Sequence, residues 1–137
     1  MKTIDMKIIR YLNLFEQVTG VRTKNCFYYN MQIVFAVPAR SMSKSIGTNG
    51  NNVRRLNSII GKKVKIVSMP EAQDDAFNFI SSIVNPIKFK NLEMNNEEII
   101  INAGQQSKAS LIGRNKARLE EMKEIVKEYF NKNLRIV

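Results

Sequence analysis

The 137-residue chain carries 22 basic and 12 acidic residues, a formal net charge of +10, and 44% apolar residues, a composition that folds rather than stays disordered. No apolar run is long enough to span a bilayer, and the opening Met1-Lys2-Thr3-Ile4-Asp5 lacks the basic-then-apolar layout of a secretion signal, so a soluble, cytoplasmic protein is expected. A single cysteine, Cys26, excludes an internal disulfide, and the lack of histidine excludes an ordinary Cys/His zinc site and a Ser-His-Asp triad.

In chain order, Ile4, Ile8, Tyr11, Leu12, Phe15 and Val18 recur at three-and-four spacing, which predicts a helix over 3–18 that Gly20 stops. Residues 24–30 and 31–37, rich in aromatic and β-branched side chains and joined at Tyr29-Asn30-Met31, read as a hairpin closed by Pro38. A short helix over 41–46 is interrupted by Gly47-Thr48-Asn49-Gly50. Helical spacing resumes over 51–60 through Val53, Leu56, Ile59 and Ile60, with Val53, Leu56 and Ile59 turned inward and Gly61 ending it. Val64, Ile66, Ser68 and Met69 supply a third strand, giving the order α-β-β-α-α-β.

The second half repeats that order. Pro70 and Glu71, with Asp74 and Asp75 suited to a helix N-terminus, open a helix whose apolar face is Ala72, Ala76, Phe79, Ile80 and Ile83. Strands are expected over 87–93 and 98–102 with a turn at Asn95-Asn96, then a short helix over 106–112 and a break at Gly113-Arg114-Asn115-Lys116. A helix over 117–130 presents Leu119, Met122, Val126 and Tyr129, and a last strand covers 134–137. The breaks beginning at Gly47 and Gly113 lie 66 residues apart, so an α+β module of nearly seventy residues is used twice, over 1–69 and 70–137. Each copy alone has a marginal core and almost no linker separates them at Ser68-Met69-Pro70, so a rigid, packed pair is expected.

Charge is divided unequally between the halves. Residues 1–69 hold 12 basic and 2 acidic residues, and residues 70–137 hold 10 of each. Between Glu16 and Glu71 there is no acidic residue, while Arg22, Lys24, Arg40, Lys44, Arg54, Arg55, Lys62, Lys63 and Lys65 fall in the gap. Such a block points to a polyanionic partner, nucleic acid ahead of anionic lipid.

The Ile46-Gly47-Thr48-Asn49-Gly50-Asn51-Asn52 stretch sits in that gap, between two helices. Glycines without a Cβ let a phosphate backbone approach the main chain, and the following helix N-terminus offers free N–H groups and partial positive charge. Lys44, Arg54 and Arg55 extend the contact. The candidate nucleic-acid-binding residues are therefore Lys44, Ile46, Gly47, Thr48, Asn49, Gly50, Asn51, Asn52, Arg54 and Arg55. A second set is Gly113, Arg114, Asn115, Lys116 and Arg118.

This arrangement resembles a KH domain, whose G-x-x-G loop clamps about four nucleotides of a single strand, and the helix-first order resembles the prokaryotic, type II form. Two such modules fused without a spacer are similar to the NusA family of transcription termination and elongation factors. The Ile46–Gly50 loop, the Phe79-Ile80-Ser81-Ser82-Ile83-Val84-Asn85-Pro86 junction and Ile112-Gly113-Arg114-Asn115 carry that likeness. Having only two KH modules, without the polymerase-binding and OB-type domains of bacterial members, resembles the archaeal form. The resemblance implies a non-enzymatic factor, without cofactor, metal or small-molecule substrate, that binds RNA leaving RNA polymerase. It leaves elongation, termination and antitermination open. A KH-type ribosome-assembly or translation factor and a polymerase-docking adaptor with incidental RNA contact are the alternatives.

The second loop departs from the pattern because Lys116 replaces the closing glycine. Lys116 either holds a phosphate by charge or marks a degenerate, structural module. Other signals carry less: Gly47–Asn52 lacks the lysine of a P-loop, the adjacent Asp74-Asp75 and Glu97-Glu98 do not converge as a catalytic dyad, and the charges of 120–128 form a solvated helix face. Cys26, Phe27, Tyr28 and Tyr29 read as sheet core before base-stacking groups.

Overall fold

The computed structural model describes residues 5–137, so Thr3 and Ile4 of the expected first helix lie outside the described residues. The chain divides into two compact units, Met1–Met69 and Pro70–Val137. Among the described residues are six α-helices and two three-stranded sheets, an α+β architecture.

In the first unit, α1 (Met6–Thr19) begins where the Asp5 carboxylate accepts the Lys7 N–H at 2.8 Å, and ends at Gly20 in the left-handed region. The antiparallel strands β1 (Asn25–Tyr29) and β2 (Gln32–Val37) join through Asn30 and Met31, both at positive φ, the geometry of a two-residue hairpin. α2 (Met42–Ile46) and α3 (Asn51–Ile60) lead to β3 (Val64–Ser68), which runs parallel to β2 with Phe35 opposite Ile66. The core gathers Phe15, Cys26, Ile33, Phe35, Val37, Leu56 and Val64, with Phe15 stacked on Phe35 at 4.4 Å. Phe27 and Tyr29 are buried, and the Tyr28 hydroxyl donates to Asp5.

Ile59 departs from the expectation. Leu56 is buried, but Ile59 lies at the edge of the α3 apolar stripe and is 54% exposed.

The second unit has the same order: α4 (Ala76–Val84), antiparallel β4 (Asn91–Met94) and β5 (Glu98–Asn102), α5 (Gln105–Ile112), α6 (Ala117–Phe130), and β6 (Asn133–Ile136) parallel to β5. Phe79, Ile80 and Ile83 of α4 are buried as expected, as are Met122 and Val126 of α6; Ile125, not singled out in the sequence, joins them. Phe79 meets the Tyr129 and Phe130 rings at 5.0 and 6.0 Å.

Two boundaries of the second unit differ from the sequence reading by about four residues. The Asp75 carboxylate accepts the N–H groups of Glu71 and Ala72, which holds that segment extended before a 3-10 turn. The α-helix therefore starts at Ala76, and Ala72 is exposed. β4 starts at Asn91 rather than residue 87 because it pairs only with β5, whose last residue, Asn102, lies opposite Asn91. An edge strand has no other ladder to extend it.

Candidate nucleic-acid interface

The Gly47–Gly50 loop turns the chain from α2 into α3 through three backbone conformations that constrain residue type. Gly47 stands at φ +81°, ψ 170°, a region essentially reserved for glycine. Asn49 (φ 55°, ψ 29°) and Gly50 (φ 72°, ψ 20°) are both left-handed, a conformation that asparagine tolerates better than most residues. The Gly50 N–H donates to the Gly47 carbonyl at 3.1 Å, and no side chain caps α3. Thr48 and Asn49 are exposed, whereas Ile46, Gly47 and Gly50 are half-buried.

The candidate side chains around this loop divide into scaffold and surface. The half-buried Asn52 side-chain amide donates to the Lys44 carbonyl at 3.1 Å, taking up one of the unsatisfied C-terminal carbonyls of α2. Arg54 is exposed but donates through Nη1 to the Asn49 carbonyl, bracing the loop from the helix. Lys44 lies over Gly20, its Cε 3.4 Å from where a Cβ would stand there, which brings the ammonium to the C-terminal end of α1. Asn51 and Arg55 are exposed. Elsewhere in the basic half, burial and then Lys63 hold the Lys65 ammonium below the usual lysine range.

The second loop reproduces the first. Gly113 (φ 76°, ψ 173°) and Asn115 (φ 56°, ψ 28°) match Gly47 and Asn49, and Lys116 (φ 62°, ψ 22°) takes the left-handed place of Gly50. The Lys116 N–H donates to the Gly113 carbonyl at 3.2 Å. Arg118, at the position of Asn52, donates to the Ser110 carbonyl at 2.7 Å, the counterpart of Lys44. Thus Arg118 spends a guanidinium N–H on the scaffold, while Arg114, Asn115 and Lys116 are exposed.

The surroundings diverge where the backbones agree. Glu120 and Glu121 occupy the places of Arg54 and Arg55, and Ser110 that of Lys44. The loop of the basic unit is followed by the cations Arg54 and Arg55, whereas its counterpart, which carries Arg114 and Lys116 itself, is followed by the carboxylates of Glu120 and Glu121. Sequence reasoning missed both the Asn52/Arg118 struts and this reversal; aligning the halves at the 66-residue offset exposes the reversal, whereas the struts depend on where the fold puts their acceptors.

No protein-family model matches the chain. A "Probable transcription termination protein NusA" of Halococcus morrhuae is 24% identical over 132 residues, covering 94% of this chain and 93% of that protein. Proteins of the same name from Methanococcus vannielii and Methanocaldococcus jannaschii are 30% and 31% identical over 84 and 80 residues. Those matches cover 61% and 58% of this chain and 47% and 42% of the two relatives. The solved chain described as "Crystal structure of APE1850" matches 98% of this chain and 100% of its own length with a TM-score of 0.65 at 19% identity, a likeness of fold. No helix among the described residues is long and apolar enough to cross a membrane. The chain is NusA-like, similar to archaeal proteins of that name.

Proposed function

We propose that this chain is a non-enzymatic transcription factor acting in elongation or termination, and that it binds single-stranded RNA through two type II KH modules, 1–69 and 70–137. RNA polymerase is the protein partner that the NusA likeness suggests. The reading rests on one observation above the others: the Gly47–Gly50 loop leads directly into the uncapped N-terminus of α3, within the half that carries all the net charge. Exposed Thr48 and Asn49 stand where a phosphate would arrive, with Asn51 and Arg55 beside them. The second loop has the backbone for the same task, but Glu120 and Glu121 oppose its own Arg114 and Lys116, so it contributes less affinity.

The test is a filter-binding titration of the Thr48→Asp/Asn49→Asp double variant on single-stranded RNA. Aspartate tolerates the left-handed conformation of residue 49, so the fold should persist while two negative charges meet the phosphates. Affinity should fall by more than about tenfold with an unchanged melting curve. Affinity within about threefold of the parent would remove the loop as the site.

A further inference from the structure

The first unit carries a second surface feature, unlike the loop in chemistry. α1 and α3 leave an open groove of about 600 Å³ between them, lined by Met6, Ile9, Tyr11, Leu14, Ile59 and Ile60, with Arg10, Asn13 and Gln17 along it. Met6, Ile9 and Ile59 are 77%, 40% and 54% exposed. They are three of the six large apolar side chains left exposed among the described residues, gathered in one place. Scattered single exposures are ordinary; a cluster lining a groove marks a contact surface.

The unit around this groove is predominantly cationic, with 12 basic residues against 2 acidic ones. Arg10 lines the groove, and exposed Arg55 stands one turn before Ile59 on α3. Of the unit's two carboxylates, Glu16 is paired with Arg22 at 2.8 Å, and Asp5, next to Met6, accepts from the Lys7 N–H and the Tyr28 hydroxyl. A symmetric contact with a second copy would bring the same cations against it, and a nucleic-acid backbone would leave the apolar side chains unmatched. The complementary occupant is a helix with apolar residues on one face and acidic residues flanking them.

We propose that the α1–α3 groove docks an acidic amphipathic helix of a partner protein. Ile59 lies nine residues beyond Gly50, about 13 Å along α3, so the groove and the loop sit toward opposite ends of one helix. Arg55 lies between the two surfaces, whereas Arg10 and Ile59 belong to the groove alone. This inference does not rest on the RNA-binding reading.

The probe is a fluorescein-labelled helical peptide of about 14 residues, with leucines at i, i+3, i+4 and i+7 and glutamates between them. Its controls are a scrambled peptide of equal composition and a version with lysine for glutamate. By fluorescence anisotropy on the full chain, the acidic amphipathic peptide should bind at least about tenfold more tightly than either control. Ile59→Asp and Arg10→Glu, both at exposed positions, should each weaken it by about tenfold while single-stranded RNA affinity stays unchanged. Circular dichroism verifies that both variants fold. Equal binding of the scrambled peptide, or indifference to Ile59→Asp, would overturn the proposal. Self-association in sedimentation velocity that Ile59→Asp abolishes would assign the groove to a second copy instead, and displacement of the peptide by RNA would assign it to the RNA surface.

Discussion

At Gly47 a Cβ would stand 2.8 Å from the Asn52 side chain and 3.1 Å from its backbone nitrogen, in a conformation that side-chain-bearing residues do not adopt. At Gly50 the nearest atom is the Arg54 Nη1 at 3.6 Å, and only the left-handed φ opposes a side chain. Gly47→Ala should therefore cost about 3 kcal/mol, combining backbone strain with loss of the Asn52 hydrogen bond. Gly50→Ala should cost about 1 kcal/mol. Lys116 shows the same distinction in the second unit, where the fourth loop residue has been replaced and the first has not. Lys116→Gly relieves about 1–2 kcal/mol of left-handed strain against about 0.5–1 kcal/mol of extra chain entropy, so a net stabilisation of up to about 1.5 kcal/mol is expected. Urea-denaturation midpoints of the three variants check this order; equal losses at Gly47 and Gly50 would refute it.

At the scale of elements, α1 and β1 are tied by a hydrogen bond that also has a pH signature. The Tyr28 hydroxyl donates to Asp5 at 3.0 Å, while the same carboxylate caps α1. The backbone N–H of Lys7, and then the Tyr28 hydroxyl, hold Asp5 below the ordinary aspartate value of 3.8. Burial, and then the hydrogen bond to Asp5, push Tyr28 up to about 12. The signs are opposite. The contribution of neutral Tyr28 is complete below the ordinary value of 10.0 and is lost as pH rises through about 12. The contribution of ionised Asp5 is present above its ordinary value and is lost as pH falls through its lowered one. An ultraviolet titration of tyrosinate should show a step near pH 12 that Tyr28→Phe removes; persistence of that step would mean that another phenol carries it.

For the whole molecule, charge distribution separates two halves of like backbone. Arg55 is exposed on the basic unit and Glu120 on the neutral one, where its ion pair with Lys123 at 3.6 Å is itself exposed and contributes little. In salt titrations of single-stranded RNA binding, Arg55→Ala should lower the slope of log K against log salt by about 0.7, equally for different RNA sequences. Glu120→Arg, which places a cation where the first unit has Arg54, should raise affinity and steepen the slope if the second loop is a competent clamp opposed by its neighbouring carboxylates. An unchanged slope for Glu120→Arg would leave the second loop a structural repeat.

Sequence alone determined the order of elements, the two loop breaks 66 residues apart and the concentration of charge in residues 1–69, because apolar periodicity, glycine punctuation and net charge are local or additive properties. The ends of α3, β5 and α6 were legible for the same reason, each being bounded by its own turn residues. Tertiary structure decided what depends on a partner distant along the chain or on the path of the backbone. β4 begins only where Asn102 of β5 lies opposite Asn91. Ile59 is left exposed because the apolar stripe of α3 is wider than the surface that covers it. Asn52, Arg54 and Arg118 were legible as polar groups beside a loop, but their spending of donors on the carbonyls of Lys44, Asn49 and Ser110 follows from how the helices turn against each other. Whether such a group faces solvent or braces the scaffold is fixed by the position of its acceptor, and residue type carries no record of that.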